Sequence, residues 1–373
     1  MERLKRFLKQ ETVLAAAWGL ALLSMVLVPP DRAYGGYVDF RTLGLLFSLM
    51  TVMAGLQGLG LFHRMGGLLL ARTATTRQLE CVLIFLPFFF SMLVTNDVSL
   101  ITFVPFALEV LSLAGLEQRA VPVVALQTIA ANLGSMATPI GNPQNLYLYS
   151  HYQLSLPSFF QTTFPLALAS FLLLALFLFR EPSKALSALS RPCTGAGGPC
   201  PKSQLALYCT LFAVCLAAVA RLIPVALAAG AVLLCVLAVD RGVLARVDYS
   251  LLLTFVGFFL FVGNLGRIPA LHDLFQALLL HHEALCAAAA SQIISNVPAA
   301  LLLSGFTSDA PALVAGTNLG GLGTLIASMA SLISYKYIAR GWPQLRGHYL
   351  AWFTGSNLAF LIPLLALYLL VLA

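Results

Sequence analysis

Residues Ala137 to Asn145 read ATPIGNPQN, and they sit between runs of Leu, Val and Ala long enough to be membrane helices. Pro139 and Pro143 lack backbone donors and disfavour helix at the residues before them. Gly141 admits positive φ at no steric cost. A helix crossing the bilayer here is therefore expected to break partway through. Unwound backbone at that depth is tolerated only where it is buried in protein or lines a wet cavity. The freed carbonyls, with the side chains of Thr138, Asn142 and Asn145, make a hard oxygen set suited to Na⁺ or to hydrogen-bonding a small oxyanion. The two helix halves would point their ends at such a site, an N-terminus at an anion and a C-terminus at a cation.

The rest of the chain supports a membrane reading. Of its 373 residues, 60% are hydrophobic and 9% charged, with a mean hydropathy of +0.92. Soluble domains carry roughly 25% charge, so a single large soluble core is excluded in favour of a polytopic membrane protein. The basic start MERLKRFLKQE leads into an apolar run too long for a signal-peptide core and without a cleavage site, so Thr12 to Pro30 is expected as a retained first helix. Of the seven cysteines, most lie inside apolar runs as small hydrophobes. Only Cys193 and Cys200 share a loop, which reads as a plain linker.

Apolar runs predict spans near 12–30, 41–61, 79–94, 98–114, 120–150, 159–179, 203–220, 223–239, 250–266, 284–306, 311–335 and 349–372. The segments 79–114 and 284–306 are each expected to enter and leave by one side. Those at 120–150 and 311–335 read as interrupted. With the N-terminus cytoplasmic, only Arg32, Arg41, Arg221 and Arg267 fall outside, and the other 17 of the 21 basic residues fall inside. That asymmetry follows the positive-inside rule and places the C-terminus outside. The net charge of +7 thus orients the chain in its membrane and gives no reason to invoke nucleic acid.

The pattern is written twice. Ser91-Met-Leu-Val-Thr95-Asn96-Asp97 ends one apolar run, and Ser291-Gln-Ile-Ile-Ser295-Asn296-Val297 ends another. Downstream, Asn132 to Tyr149 (NLGSMATPIGNPQNLYLY) lies on Asn318 to Tyr335 (NLGGLGTLIASMASLISY), with seven of eighteen positions identical. The preceding helices run in opposite directions across the bilayer. The reading is an all-α polytopic membrane protein of inverted repeats, with about nine transmembrane helices, two of them interrupted, and two re-entrant hairpins. Residues 1–37 form an N-terminal helix, 38–180 the first repeat, 181–245 a linker loop with connecting helices, and 246–373 the second repeat. Secondary transporters share this architecture, with their sites at the repeat interface.

Asn96 and Asp97 are expected at the tip of the first hairpin. A carboxylate at membrane depth costs on the order of 2.5–3.5 kcal/mol unless it meets a cation, a proton or water. That cost singles out Asp97.

Four segments, SMLVTND, ANLGSMATPIGNPQN, SQIISNVPAALLL and GTNLGGLGTLIAS, resemble the signatures of the ion transporter superfamily. This group holds divalent-anion/sodium symporters, ArsB-type arsenite permeases and NhaD-type antiporters. The resemblance implies a homodimer in which a transport domain moves like an elevator against a scaffold. It implies one sodium site at Ser91, Thr95, Asn96 and the Gly141 backbone, and a counterpart at Ser291, Ser295, Asn296 and the Ala327 backbone. It also implies substrate contacts from Asn96, Asp97, Asn142, Pro143, Asn296, Val297 and Ser328, to which the residue reading adds Thr138, Asn145 and Thr324. Asp97 and Val297 stand where dicarboxylate members carry threonine, and Met329-Ala330-Ser331 stands for their Pro-Pro-Asn. The Asn-Asp pair resembles the arsenite-permease and antiporter branch.

Other residues read more plainly. Glu109 is expected near the inner interface. His272, His281 and His282 are expected in an external loop, Arg221 snorkels to the outer interface, and Asp240, Arg241, Arg246 and Asp248 form a solvated inner face. No ATP-binding or hydrolase motif occurs, so transport and not catalysis is expected. The expected activity is transport of a small anion, a carboxylate or an oxyanion, across a bacterial inner membrane with Na⁺ or H⁺ as coupling ion and no other cofactor. Two alternatives stand beside it, a Na⁺/H⁺ antiporter and a permease subunit served by a separate ATPase.

Overall fold

The computed structural model describes residues 11–61, 65, 73–179, 183–185 and 201–372. The linker cysteines Cys193 and Cys200 lie outside the described residues. Among those described the chain is helical without strands, and one isolated antiparallel bridge joins Thr75 to Ala185. The first half comprises α1 (Thr12–Leu27), α2 (Phe40–Gly58), α3 (Thr76–Phe90), α4 (Asn96–Leu113), α5 (Ala120–Ser135), α6 (Pro143–His151) and α7 (Leu156–Phe179). Then follow α8 (Lys202–Val219), α9 (Val225–Val239), α10 (Tyr249–Gly266), α11 (Pro269–Leu279) and α12 (Glu283–Ile294). The chain continues through α13 (Asn296–Leu303), α14 (Ala310–Leu319), α15 (Met329–Gly341) and α16 (Arg346–Leu367).

Six stretches are long and apolar enough to cross a membrane: α2, α4, α7, α8, α10 and Pro343–Leu372, which contains α16. α1 and α9 are shorter apolar helices of 16 and 15 residues. The outward faces of the apolar helices carry large exposed side chains, among them Leu23 of α1, Leu172 of α7, Leu234 of α9 and Ile362 of α16. Apolar exposure on this scale suits a lipid solvent.

The two predicted breaks are present, and the sequence makes them by different means. Between α5 and α6 the helix stops short of Pro139 and restarts with Pro143 at its first turn, capped by the Asn142 side chain, which accepts from Asn145 N at 2.9 Å. This placement uses a proline where its missing N–H costs nothing. Between α14 and α15 there is no proline. Glycines do the work, and Gly323 takes a φ of +110° that only glycine adopts readily.

Glycine also sets how closely the helices pack. A Cβ on Gly134 of α5 would stand 2.0 Å from Phe88 O and 2.7 Å from Ser91 Oγ of the first hairpin. One on Gly320 would stand 2.7 Å from Ser291 Oγ of the second. Each hairpin is thus clamped to the break of its own half at a matching glycine. Elsewhere, Arg119 grips Glu80 with two hydrogen bonds of 2.6 and 2.9 Å, fixing the start of α5 to α3. α1 lies along α10, where Asn264 Nδ2 donates to Ser24 Oγ at 2.9 Å. Just beyond these helices, Arg267 bonds Asp31 at 2.8 Å and holds its carboxyl below the ordinary carboxylate range.

One expectation requires correction. His281 and His282 lie exposed in the turn before α12, but the segment expected as a loop around His272 is α11, which meets α12 at a bend of 110°. Pro269 at its first turn starts the helix, and Phe275 stacks on Phe306 at 4.8 Å to hold it against α13. No group of three or more metal-ligating side chains occurs among the described residues.

Candidate functional site

The hairpin tips and the helix breaks meet through a hydrogen-bond pattern that occurs in both halves. Asn96 N donates to Gly141 O at 3.1 Å, and Asn296 N donates to Ala327 O at 3.0 Å. Asn96 Oδ1 accepts from Asp97 N at 3.0 Å, and Asn296 Oδ1 accepts from Val297 N at 2.9 Å. Thr138 Oγ1 donates to Met92 O at 2.5 Å, and Thr324 Oγ1 donates to Gln292 O at 3.1 Å. The alignment of the two sequence segments is therefore also an alignment of bonds.

The halves are locked to each other by exchange. Asn142, the residue that caps the first broken helix, donates to Asn318 Oδ1 of the second half at 2.9 Å. Ser328, at the matching position of the second half, donates to Asn132 Oδ1 of the first at 3.2 Å. Asn132 Oδ1 also accepts from Asn96 Nδ2 at 2.8 Å. Asn318 in turn donates to Asn145 Oδ1 at 2.5 Å. All of these side chains are buried. Amide groups inside a low-dielectric interior are costly unless paired, so this network fixes one arrangement of the two breaks.

Each break must also satisfy its own carbonyls, and here the halves diverge. In the first, Asn145 Nδ2 reaches the carbonyls of Ser135, Met136 and Thr138 at 3.4, 3.3 and 3.2 Å. In the second, Gln292 Nε2 reaches Gly320 O and Leu322 O at 2.9 Å each, while its Oε1 accepts from Thr324 N at 2.9 Å. Gln292 was not singled out by the sequence reading. Its signal was a polar side chain inside a hairpin helix, opposite three glycines.

A cavity of about 170 Å³ opens against the first tip. Thr95, Asp97, Asn142 and Pro143 line it, together with Gln57 of α2 and an apolar wall that includes Met50, Met53 and Leu251. Its remaining charged residues come from the short segment joining α9 to α10, namely Arg246 and Asp248. The sequence assigned those two to a solvated face. They are indeed exposed, yet they also face the cavity. Gly58 permits this, because a Cβ there would lie 2.3 Å from Arg246 Nη1.

The other expected contacts sit elsewhere. Asn96, Thr138 and Asn145 are spent on the bonds described above. Asn296 and the buried Val297 lie at the second tip, and Thr324 is exposed beside Gln292. For the expected cation ligands, Ser91 Oγ donates to Phe88 O at 2.9 Å and Ser291 Oγ to Ala287 O at 2.7 Å. Thr95 and Ser295 precede the two asparagines, and Ser295 holds a φ of +74°. The carbonyls of Gly141 and Ala327 each accept one backbone N–H, and Ala327 O also accepts from Ser295 Oγ at 3.5 Å.

The N-terminus of α6 borders the cavity through Asn142 and Pro143, which places the positive end of a helix dipole beside a space also faced by a guanidinium. The same space is faced by the carboxylates of Asp97 and Asp248. The arrangement can accept an anion if the carboxylate charge is offset, and can accept a cation or a proton at the carboxylates.

Comparison with known proteins gives concordant matches. The family model described as citrate transporter matches residues 4–311. The inner membrane protein YbiR of Escherichia coli is 32% identical over 327 residues, 85% of each chain. The uncharacterized transporter MJ0456 of Methanocaldococcus jannaschii is 30% identical over 324 residues, 85% of this chain and 86% of its own. The silicon efflux transporter LSI3 of rice is 36% identical over 155 residues, 40% of this chain and 31% of its own.

Proposed function

The chain belongs to the citrate transporter family and is a multi-pass membrane transporter, and from that premise we propose that it is a secondary active transporter of a small carboxylate or oxyanion, coupled to Na⁺ or H⁺. The observation that carries this reading is the cavity shared by Asp97, Arg246 and the N-terminus of α6. An arginine and a helix N-terminus offer an oxygen-rich anion charge-assisted hydrogen bonds. Asp97 opposes the anion until a proton or a cation offsets its charge. Loading of the coupling ion then favours loading of the substrate, and by reciprocity the substrate favours loading of the ion. The hydroxyl and carbonyl oxygens around Asn96 and Gly141 form the cation side of the site. Their counterparts around Asn296 and Ala327 form a second, with Val297 in place of an acid.

In this reading the hairpins and breaks move together as one body, because the asparagine network ties them across the halves. The substrate crosses as that body shifts against α2 and the α9–α10 segment. The location we propose is an inner membrane with a cytoplasmic N-terminus, supported by the basic-residue asymmetry and by the name of the Escherichia coli relative. Homodimer formation is proposed from the family resemblance alone.

The test is uptake into proteoliposomes of purified protein. Citrate, a dicarboxylate, phosphate and silicate are offered in turn under an imposed Na⁺ or pH gradient. Accumulation of one of these above its external concentration, abolished when the cation gradient is collapsed, is the expected result. A second reading, Na⁺/H⁺ exchange, draws on the pair of carboxylates, Asp97 and Asp248, that face the one cavity. Sodium-driven proton movement with no anion present, and no anion uptake under any gradient, would replace the first reading with the second.

A further inference from the structure

A second concavity, separate from the transport cavity, lies at the other end of α2. α2 has 19 residues, and at 1.5 Å per residue it is about 28 Å long, close to the thickness of a hydrocarbon core. Arg41 in its first turn and Gly58 beside Arg246 therefore stand near opposite faces of the membrane. Around Arg41 a groove of about 680 Å³ runs between α2 and the start of α9, lined by Arg41, Arg221 and otherwise only by apolar residues. Gly44, Ala226 and Ala229 keep its floor low, while Phe40 and Leu222 stand 70% and 78% exposed at its edges.

The two arginines converge on one residue. Arg41 Nη1 donates to Gln153 Oε1 at 3.1 Å, and Arg221 Nη1 donates to Gln153 O at 3.1 Å. Arg221 Nη2 also reaches Tyr149 O at 3.3 Å, and its guanidinium lies over the Tyr149 ring, 5.0 Å from the centroid. Arg221 adopts a φ of +63°, a left-handed conformation uncommon outside glycine. Among the described residues no acid lines the groove. The acid nearest in sequence, Asp39, is engaged by Thr42 through its backbone N–H and its hydroxyl. The Arg41 Nε is buried and has no hydrogen-bond partner. Two neighbouring cations, one with an unanswered donor, at the head of an apolar trough ask for a ligand that is anionic at one end and apolar along the rest.

We propose that this groove binds an anionic phospholipid, with its phosphate held by Arg41 and Arg221 and an acyl chain lying along Gly44, Val225 and Ala229. Guanidinium groups match phosphate oxygens two at a time. A free phosphate would satisfy the arginines and leave the trough unfilled, so the lipid is the better fit. The site does not depend on what the transporter carries, and binding can be read without transport.

The experiment uses the full chain, purified in detergent and in nanodiscs of neutral phosphatidylcholine. Phosphatidylglycerol, phosphatidylcholine and inorganic phosphate are each titrated, with native mass spectrometry and the thermal midpoint as readouts. Retention of phosphatidylglycerol at least tenfold tighter than phosphatidylcholine, with no response to millimolar phosphate, is expected. The double variant Arg41→Gln with Arg221→Gln should lose that preference. If it does not fold, two further variants decide. Ala229→Trp fills the trough and leaves both arginines in place, and Arg41→Lys with Arg221→Lys keeps charge without the fork. Both should weaken phosphatidylglycerol binding severalfold. An undiminished preference in the folded variants overturns the proposal, and so does stabilisation by inorganic phosphate equal to that by phosphatidylglycerol.

Discussion

Asn142 Nδ2 and Asn318 Oδ1 are 2.9 Å apart, a hydrogen bond between residues 176 positions distant that joins the two helix breaks at the centre of the protein. Neither side chain has an alternative partner in solvent, since Asn142 is 1% and Asn318 3% exposed. Together with Asn145 they form a closed ring of amides, in which each oxygen and each nitrogen is assigned.

The ring predicts the outcome of Asn318→Ala. The variant removes the donor to Asn145 Oδ1 and the acceptor of Asn142 Nδ2. Asn142 Nδ2 retains Ser135 Oγ at 3.0 Å, whereas the Asn145 oxygen loses its partner. Stranding a buried polar group costs about 1–3 kcal/mol. A lower thermal midpoint in detergent is expected, together with a loss of transport larger than the fraction unfolded accounts for. A midpoint and uptake rate equal to the wild type would show that the ring is not what registers the two halves.

A second stability prediction concerns Arg119 and Glu80. The Glu80 side chain is 6% exposed and that of Arg119 is 28%. Breaking a buried pair by removing one partner costs about 3–5 kcal/mol, whereas replacing both by apolar groups is often nearly neutral. With Arg119 partly wet, Arg119→Met is expected at the low end of that range. Adding Glu80→Leu should recover most of the loss. The measurement is a double-variant cycle by thermal or denaturant unfolding, and recovery below a quarter of the single-variant loss would contradict this account.

How much of this was legible depends on where the determining signal lay. The first break was readable because Pro139, Gly141, Asn142 and Pro143 are local instructions, each acting on its own backbone. The second break was readable only by alignment to the first, since Gly320, Gly321 and Gly323 could equally have belonged to a flexible turn. The family resemblance grouped Asn96 with the Gly141 backbone, and Asn296 with the Ala327 backbone, as cation ligands; what the structure shows is a backbone hydrogen bond within each pair. The exchange between Asn142 and Asn318 had no sequence signal, since it arises from how the halves pack. The same holds for Arg246. It read as a surface charge, and its approach to the cavity exists because Gly58, on a different helix, leaves room for it. α11 was missed because His272 and Asp273 masked a short helix begun by Pro269.

Asp97 is the acid at the first hairpin tip, and its role as the group that exchanges a proton or cation can be tested by Asp97→Asn. The substitution keeps size and removes the charge. If Asp97 carries the titration, uptake should lose most of its dependence on pH between about 5 and 8 and become less responsive to the imposed cation gradient. The comparison is the ratio of initial rates at the two pH values in wild type and variant. An unchanged ratio would assign the coupling to another group, and Asp248→Asn, which alters the other carboxylate facing the cavity, is the next to examine.

Arg246 and Gly58 allow the anion side to be tested from two directions. Arg246→Gln removes the guanidinium, and Gly58→Ala leaves it in the sequence but places a Cβ 2.3 Å from where Nη1 lies. The obstructing atom is the far end of a flexible side chain, so Gly58→Ala should fold and displace Arg246 rather than unfold α2. A charge-assisted hydrogen bond is worth about 1.5–3 kcal/mol, which corresponds to roughly a 10- to 150-fold rise in KM for Arg246→Gln. Gly58→Ala should shift KM in the same direction by less, with the maximal rate changed little in both. Combining the two should add nothing beyond Arg246→Gln alone, because the glycine acts through the arginine. Additive effects would mean that Gly58 serves the packing of α2 and that the position of Arg246 in the cavity is incidental to substrate binding.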